Sequence, residues 1–181
     1  MEEFMYELRI PKERIAVLIG KNGEAKKELE EDTKTKIKID SKEGDVFISG
    51  KDALGLYTAR ELVKAVGRGF NPEIAKLLLK QDFILEIIEI TEYTNKSKNT
   101  MVRLKGRVIG KEGKSRKIVE ELTESCISVY GKTISIIGPS ESVNMARQAV
   151  ISLLRGSTHA NVYKWLEKKR RELKRKETME I

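Results

Sequence analysis

A five-residue phrase occurs twice in this 181-residue chain, as Ile-Gly-Lys-Asn-Gly at 19–23 and Ile-Gly-Lys-Glu-Gly at 109–113. The offset of 90 persists past the glycines. Between 19–33 and 109–123, Ile19, Gly20, Lys21, Gly23, Lys27, Glu30, Glu31 and Thr33 all recur. The register then slips in small steps. Val46, Ile48 and Gly50 align with Ile134, Ile136 and Gly138 at 88, and Ala59-Arg60 and Arg68-Gly69 align with Ala146-Arg147 and Arg155-Gly156 at 87. Turns tolerate length change and packed elements do not. The chain therefore reads as one fold repeated, in two domains of roughly 70–85 residues each.

Periodicity predicts the elements of each copy. Phe4, Tyr6, Leu8 and Ile10 alternate with polar residues as in a half-buried strand, and Pro11 suits the first turn of a helix over 12–19. After the Gly-Lys-Asn-Gly loop a helix is predicted over 23–33, then strands over 36–40 and 46–49 and a helix over 52–67. Asn71-Pro72 opens a short connecting helix to about Lys80. Asp82–Thr91 is apolar on both rows, which predicts a strand covered on both faces. A polar loop over 93–100 leads into the second copy. Its helices are predicted over 101–109, 114–124 and 140–155, and its strands over 126–130 and 133–137. A final helix over 159–177 carries Lys164, Lys168, Lys169, Arg170, Arg171, Lys174, Arg175 and Lys176. Tyr163 and Trp165 are its expected anchors, and its last ten residues are expected to fray. The fold class is α+β, with the order β-α-α-β-β-α twice. The expected boundaries are 1–69, a connector over 70–81, a second domain over 82–157 and a basic helix over 158–181.

The net charge of +8 is unevenly placed. Residues 1–69 balance 14 basic against 14 acidic side chains, whereas 70–157 and 158–181 each carry an excess of four. A basic balance of this kind favours anionic partners, nucleic acid first. One cysteine, Cys126, excludes an internal disulfide, and its strand position suggests a small buried hydrophobe. With one histidine, His159, no nucleophile–base pair, metal cluster or phosphate-loop motif of an enzyme is assembled. No cofactor and no metal are expected. No apolar run reaches membrane-spanning length, and the first residues lack a signal peptide's charged and apolar regions. A cytoplasmic monomer is expected.

A Gly-x-x-Gly loop between two helices lets backbone approach a ligand without a Cβ clash, and it aims a helix N-terminus at the same point. Phosphate is the natural guest. The candidate clamps are Gly20, Lys21, Asn22 and Gly23 in the first copy, and Gly110, Lys111, Glu112 and Gly113 in the second. Lys26 and Lys27, and Lys114, Arg116 and Lys117, would flank them. An aliphatic floor beside the clamp would take unpaired bases, with Leu18, Ala25, Leu29, Ile37 and Ile39 in one copy and Val108, Ile118, Cys126 and Val129 in the other. Glu112 opposes a phosphate, while Lys111, Lys114 and Arg116 offset it.

With these motifs in place, each copy resembles a eukaryotic-type (type I) KH domain, a three-stranded antiparallel sheet packed on three helices. In that family the loop clamps single-stranded nucleic acid. A narrower resemblance covers nearly the whole chain. It rests on Gly67-Arg68-Gly69-Phe70-Asn71-Pro72, on Gly106-Arg107-Val108-Ile109-Gly110, and on Gly156-Ser157-Thr158-His159 with Val162-Tyr163. These segments are similar to the archaeal two-KH ribosome-assembly proteins. Their eukaryotic relatives are the partner of the Nob endonuclease and the Krr-type processome factors. The resemblance implies binding of single-stranded small-subunit (16S-type) rRNA near its 3′ end. Eukaryotic relatives tend to have a degenerate first loop, whereas both are intact here, so the resemblance does not carry over a confinement of RNA contact to the second copy. The alternatives are an adaptor that recruits an endonuclease or translation factor, and a cofactor of RNA degradation.

Overall fold

The computed structural model describes residues 4–94 and 97–179. The chain divides into two compact units, Met1–Phe83 and Ile84–Ile181.

In the first unit β1 (Phe4–Arg9), α1 (Lys12–Ile19), α2 (Glu24–Thr33), β2 (Lys36–Asp40), β3 (Asp45–Gly50) and α3 (Ala53–Gly67) follow the predicted order. The sheet order is β1-β3-β2, with both pairings antiparallel. The third strand takes the centre, so its inward row, Val46 and Ile48, is fully buried. Asp52 caps α3 by accepting from the Gly55 amide. The expected cover over β1 is incomplete. Phe4 is 50% and Tyr6 39% exposed, and of that apolar row Ile10, just past the strand, is the residue that reaches the core. As an edge strand, β1 lies at the margin of the helix layer. The connector is a single α-turn, α4 (Pro72–Ala75), tightened to a 3-10 turn over Lys76–Leu79.

The second unit repeats the plan with β4 (Phe83–Glu89), α5 (Lys98–Ile109), α6 (Lys114–Thr123), β5 (Cys126–Tyr130), β6 (Thr133–Pro139) and α7 (Ser140–Leu154), in sheet order β4-β6-β5. Three details depart from the periodicity. β4 ends at Glu89 and Ile90 enters a 3-10 turn, its amide donating to the Lys132 carbonyl. α5 begins three residues early because Ser97 caps it through the Thr100 amide. The strand buried on both rows is central β6, whereas β4 is only partly covered. Residues 95 and 96 of the expected loop, and the side chain of Lys176, lie outside the described residues.

The last helix, α8 (His159–Met179), belongs to the second unit's core and remains helical through its final turns, where fraying was expected. Val162 and Leu166, at 3% and 0% exposure, anchor it, while Tyr163 and Trp165 are only half-buried. The i, i+4 pair forms the seam facing α6 and α7, so the aromatic residues fall on its flanks.

Each unit is tied by the same hydrogen bonds. Arg14 on α1 donates to the carbonyls of Val66 and Phe70, and Arg107 on α5 donates to those of Leu153 and Ser157. Each guanidinium thus ties the last turn of the repeat's final helix to the chain just beyond it. Glu30 and Glu120 accept from the amides of Ile37 and Ile127, fixing where β2 and β5 start. Arg107→Ala should destabilise the second unit by about 2 kcal/mol, since two charge-assisted bonds, one to the part-buried Leu153 carbonyl and one to the exposed Ser157 carbonyl, are lost. Urea unfolding will measure this, and Arg107→Lys should recover only part of the loss.

Candidate nucleic-acid interface

The two loops are superposable in their backbone angles. Gly20 and Gly110 have φ 75° and 74° with ψ near 180°, a region open essentially to glycine alone. A Cβ at Gly20 would lie 2.5 Å from the Ala25 Cβ, and one at Gly110 would lie 2.6 Å from the Ser115 Cβ. The first glycine of each loop therefore lets α2 or α6 close against it. Gly23 and Gly113 are also left-handed, at 79° and 77°, but have open space around them. Between the glycines the chain makes a 3-10 turn whose middle residue, Asn22 or Glu112, is left-handed at φ 54° or 55°. Asn tolerates that region; Glu does so at a cost.

The turn alters one expectation about the helix ends. Gly23 and Glu24 donate their amides to the Gly20 and Lys21 carbonyls, and Gly113 and Lys114 do the same to Gly110 and Lys111. Part of each helix N-terminus is therefore satisfied internally, and the exposed lysines carry more of the loop's capacity for an anion.

Beside the first loop lies a cavity of about 360 Å³ lined by Ile19, Gly23, Lys26, Lys27, Glu30, Ile39 and Ser41. It brings together Gly23, Lys26, Lys27 and Ile39 of the expected set. Ile19, Ser41 and Glu30 join them without having been singled out. Ile19 belongs to the repeated phrase itself, which was the available signal.

Ile37 does not lie in this cavity. It is 1% exposed and lies in the core with Leu18 and Leu29, while Ile39, two residues on along the same face, borders the loop cavity. In the second unit Val108 on α5 and Ile127 on β5 are likewise core residues. Val129, opposite Ile134 as Ile39 is opposite Val46, stays half-buried with Ile118. Cys126 is half-buried rather than fully so. Burial pushes its thiol pKa up, and Glu120 adds to the shift.

Charge separates the loops more sharply than the net count. Lys26 pairs with Glu30 at 3.6 Å, Lys27 with Glu31 at 3.9 Å and Arg116 with Glu120 at 3.7 Å. Among the described residues, Lys21, Lys111, Lys114 and Lys117 have no such carboxylate partner. The second loop thus has three uncommitted cations and the first has one. Surface pairs of this kind are worth under about 1 kcal/mol, so an arriving phosphate can displace them. No group of metal-ligating side chains occurs among the described residues, and no helix among them is long and apolar enough to cross a membrane.

Fold and loops together define a tandem type I KH protein. Residues 84–171 match the eukaryotic-type KH domain (type I), and residues 5–65 match the KH domain. A KH domain-containing protein of Methanocaldococcus jannaschii is 51% identical over 172 residues, 93% of this chain and 75% of that protein. The pre-rRNA-processing protein PNO1 of Candida albicans is 34% identical over 113 residues, covering 62% of this chain and 41% of PNO1. The chain thus spans less than half the length of that eukaryotic relative. A chain of the a/eIF2alpha–aDim2p–rRNA complex from Pyrococcus horikoshii matches with a TM-score of 0.88 and 44% identity, over 94% of this chain and 96% of that one. The chain belongs to the two-KH family of archaeal Dim2 and eukaryotic PNO1 pre-rRNA-processing proteins.

Two measurements check the local geometry. Gly20→Ala should cost at least about 2 kcal/mol, against about 1 kcal/mol for Gly23→Ala, where only the left-handed backbone is penalised; urea unfolding compares them. Cys126 favours the neutral thiol in the fold, so its contribution is complete at low pH and fades as pH rises through the raised pKa. Iodoacetamide should therefore alkylate the folded protein several-fold more slowly than the urea-unfolded chain at about pH 8.

Proposed function

We propose that this protein binds single-stranded small-subunit rRNA near its 3′ end during ribosome assembly, with each KH domain (1–69 and 82–157) offering one phosphate clamp. The observation that carries this reading is the intact Gly-Lys-x-Gly loop in both copies, with a cavity lined by half-buried Ile19 and Ile39 beside the first. Lys21 and Lys111 meet the sugar-phosphate backbone. Gly20, Gly23, Gly110 and Gly113 allow close approach. Bases lie against Ile19 and Ile39 in the first copy, and against Ile109 and Val129 in the second. Lys26, Lys27 and Arg116 switch from carboxylate to phosphate partners, while Lys114 and Lys117 are ready without exchange. The second copy therefore supplies more of the affinity, despite Glu112. The complex of the Pyrococcus horikoshii relative with rRNA supports the RNA class.

The same complex also holds a/eIF2alpha, which favours a second role as an adaptor toward a translation factor. A processing endonuclease is a further candidate partner in that role. Binding to the RNA as a monomer in the cytoplasm completes the proposal.

RNA matching the small-subunit 3′ end should bind at least tenfold more tightly than scrambled RNA of equal length, measured by fluorescence anisotropy at two salt concentrations. Equal affinity for the two would rule out the assembly-site reading. Lys21→Asp with Asn22→Asp and Lys111→Asp should weaken binding by about 10²-fold while leaving the unfolding midpoint unchanged, because these positions are exposed. Glu112→Asn should strengthen binding and raise stability slightly, since it removes a carboxylate and suits the left-handed backbone.

A further inference from the structure

The basic face of α8 is left over once the clamps are described. Lys164, Lys168, Arg171 and Arg175 recur at intervals of four, three and four, so they form one row along the helix, rising over about 16 Å. All four are exposed, and they lie opposite the buried seam of Val162 and Leu166. On the flanks Lys169 pairs with Glu172 at 2.9 Å and Arg170 with Glu124 at 3.4 Å. Along the row, among the described residues, no cation has a carboxylate partner; Arg171 donates only to the Glu167 carbonyl. Glu167 and Glu172 border the row on its two sides. Asn161, Lys164, Trp165, Lys168 and Arg171 line one shallow depression of about 350 Å³. Four uncommitted like charges on one helix repel each other and add nothing to folding. Their shared chemistry is attraction for a polyanion.

The helix is anchored beside the second clamp. His159 Nε2 bonds the Arg107 carbonyl at 2.8 Å, three residues before Gly110, and α8 packs along α6, the helix that the clamp loop opens. Its first turn is therefore tied to the base of the Gly-Lys-Glu-Gly loop. The first copy has no equivalent track. The corresponding segment ends after one α-turn and a 3-10 turn, and its Lys76 is held by Glu28 and Asp32 on α2.

We infer that the Lys164–Lys168–Arg171–Arg175 row of α8, with Trp165 at its edge, is a second RNA-contacting track that takes the strand beyond the nucleotides held by the second clamp. This rests on the RNA-binding reading above. An indole beside a row of free cations distinguishes a nucleic acid from an acidic peptide or an anionic surface, because bases stack on the ring while phosphates meet the charges.

Trp165 is the single tryptophan, so its fluorescence reports the track directly. Two RNAs carrying the small-subunit 3′ sequence separate clamp from track: one of about eight nucleotides, twice the span of one clamp, and one of about 20. The longer RNA should quench Trp165 and the shorter should not. A variant with Lys164→Gln, Lys168→Gln, Arg171→Gln and Arg175→Gln should bind the short RNA within twofold of wild type and the long RNA at least tenfold more weakly. Its slope of log affinity against log salt should fall by about 3, the counterion release of four contacts on a single strand. An unchanged melting temperature will show that the fold is intact. An unaltered slope and long-RNA affinity in this variant would overturn the proposal, and so would unchanged Trp165 fluorescence on saturation with the long RNA. Polyglutamate of matched charge that quenches and competes as well as RNA would reassign the row to an acidic protein. If the loop variants keep full affinity for the short RNA, the clamp reading fails, while the quadruple variant still decides the track.

Discussion

The whole arrangement depends on how closely one helix can approach a glycine. At Gly20 and Gly110 the backbone passes within Cβ distance of the first turn of the following helix, and the space exists only because no side chain is there. That approach sets the angle between α1 and α2, and between α5 and α6. It also places β2 and β5, since Glu30 and Glu120 reach from the middle helices to the first strand amides. The loop that can face a phosphate is thus the same loop that shapes the domain. Function and architecture share one residue, and a substitution there confounds them. The lysine beside it is exposed and can be changed separately.

Duplication has preserved the frame and released the surface. Arginine-to-carbonyl ties, glutamate-to-strand ties, the paired hydroxyls of Thr33 with Thr35 and Thr123 with Ser125, and the left-handed residues Lys34 and Glu124 all recur. The copies diverge in how their cations are occupied. In the first loop Lys26 and Lys27 are tied to carboxylates; in the second Arg116 is tied, while Lys111, Lys114 and Lys117 have no carboxylate partner among the described residues, and α8 adds a further basic face. Within residues 1–69 ion pairs hold Arg9, Lys26, Lys27 and Lys64, and beyond residue 70 they hold Lys76, Arg116, Arg147, Lys169 and Arg170, so the copies differ at their loops rather than throughout.

Much of the site was legible because the repeated phrase marks backbone demands that few residues meet. Ile-Gly-Lys-x-Gly announces the left-handed turn, and alternation announces the strands. Ile37 was misplaced as a groove residue because period-two alternation says that neighbouring apolar residues share a face, and Ile37 and Ile39 do. It does not say which of them the helices cover. Trp165 and Tyr163 pack against the second core as expected but stay partly exposed; the deepest contacts are those of Val162 and Leu166, whose i, i+4 spacing forms the seam.

The sequence by itself determined the element order, the duplication, the two loops and the surplus of positive charge, because these follow from local backbone preference and periodicity. Only the tertiary structure decided which cations are committed to carboxylates, that α8 is part of the second core, and which aliphatic residues border the first loop. The packing of α8 and the lining of the first loop join residues far apart in the chain, whereas the pairs of Lys26, Lys27 and Arg116 lie four residues apart on one helix, where spacing permits a contact that only side-chain placement decides. Arg170 finds Glu124 and His159 finds the Arg107 carbonyl only after the helices have packed. The repeated Gly-Lys-x-Gly names the two candidate clamps, and the packing around each loop leaves them with different amounts of free charge.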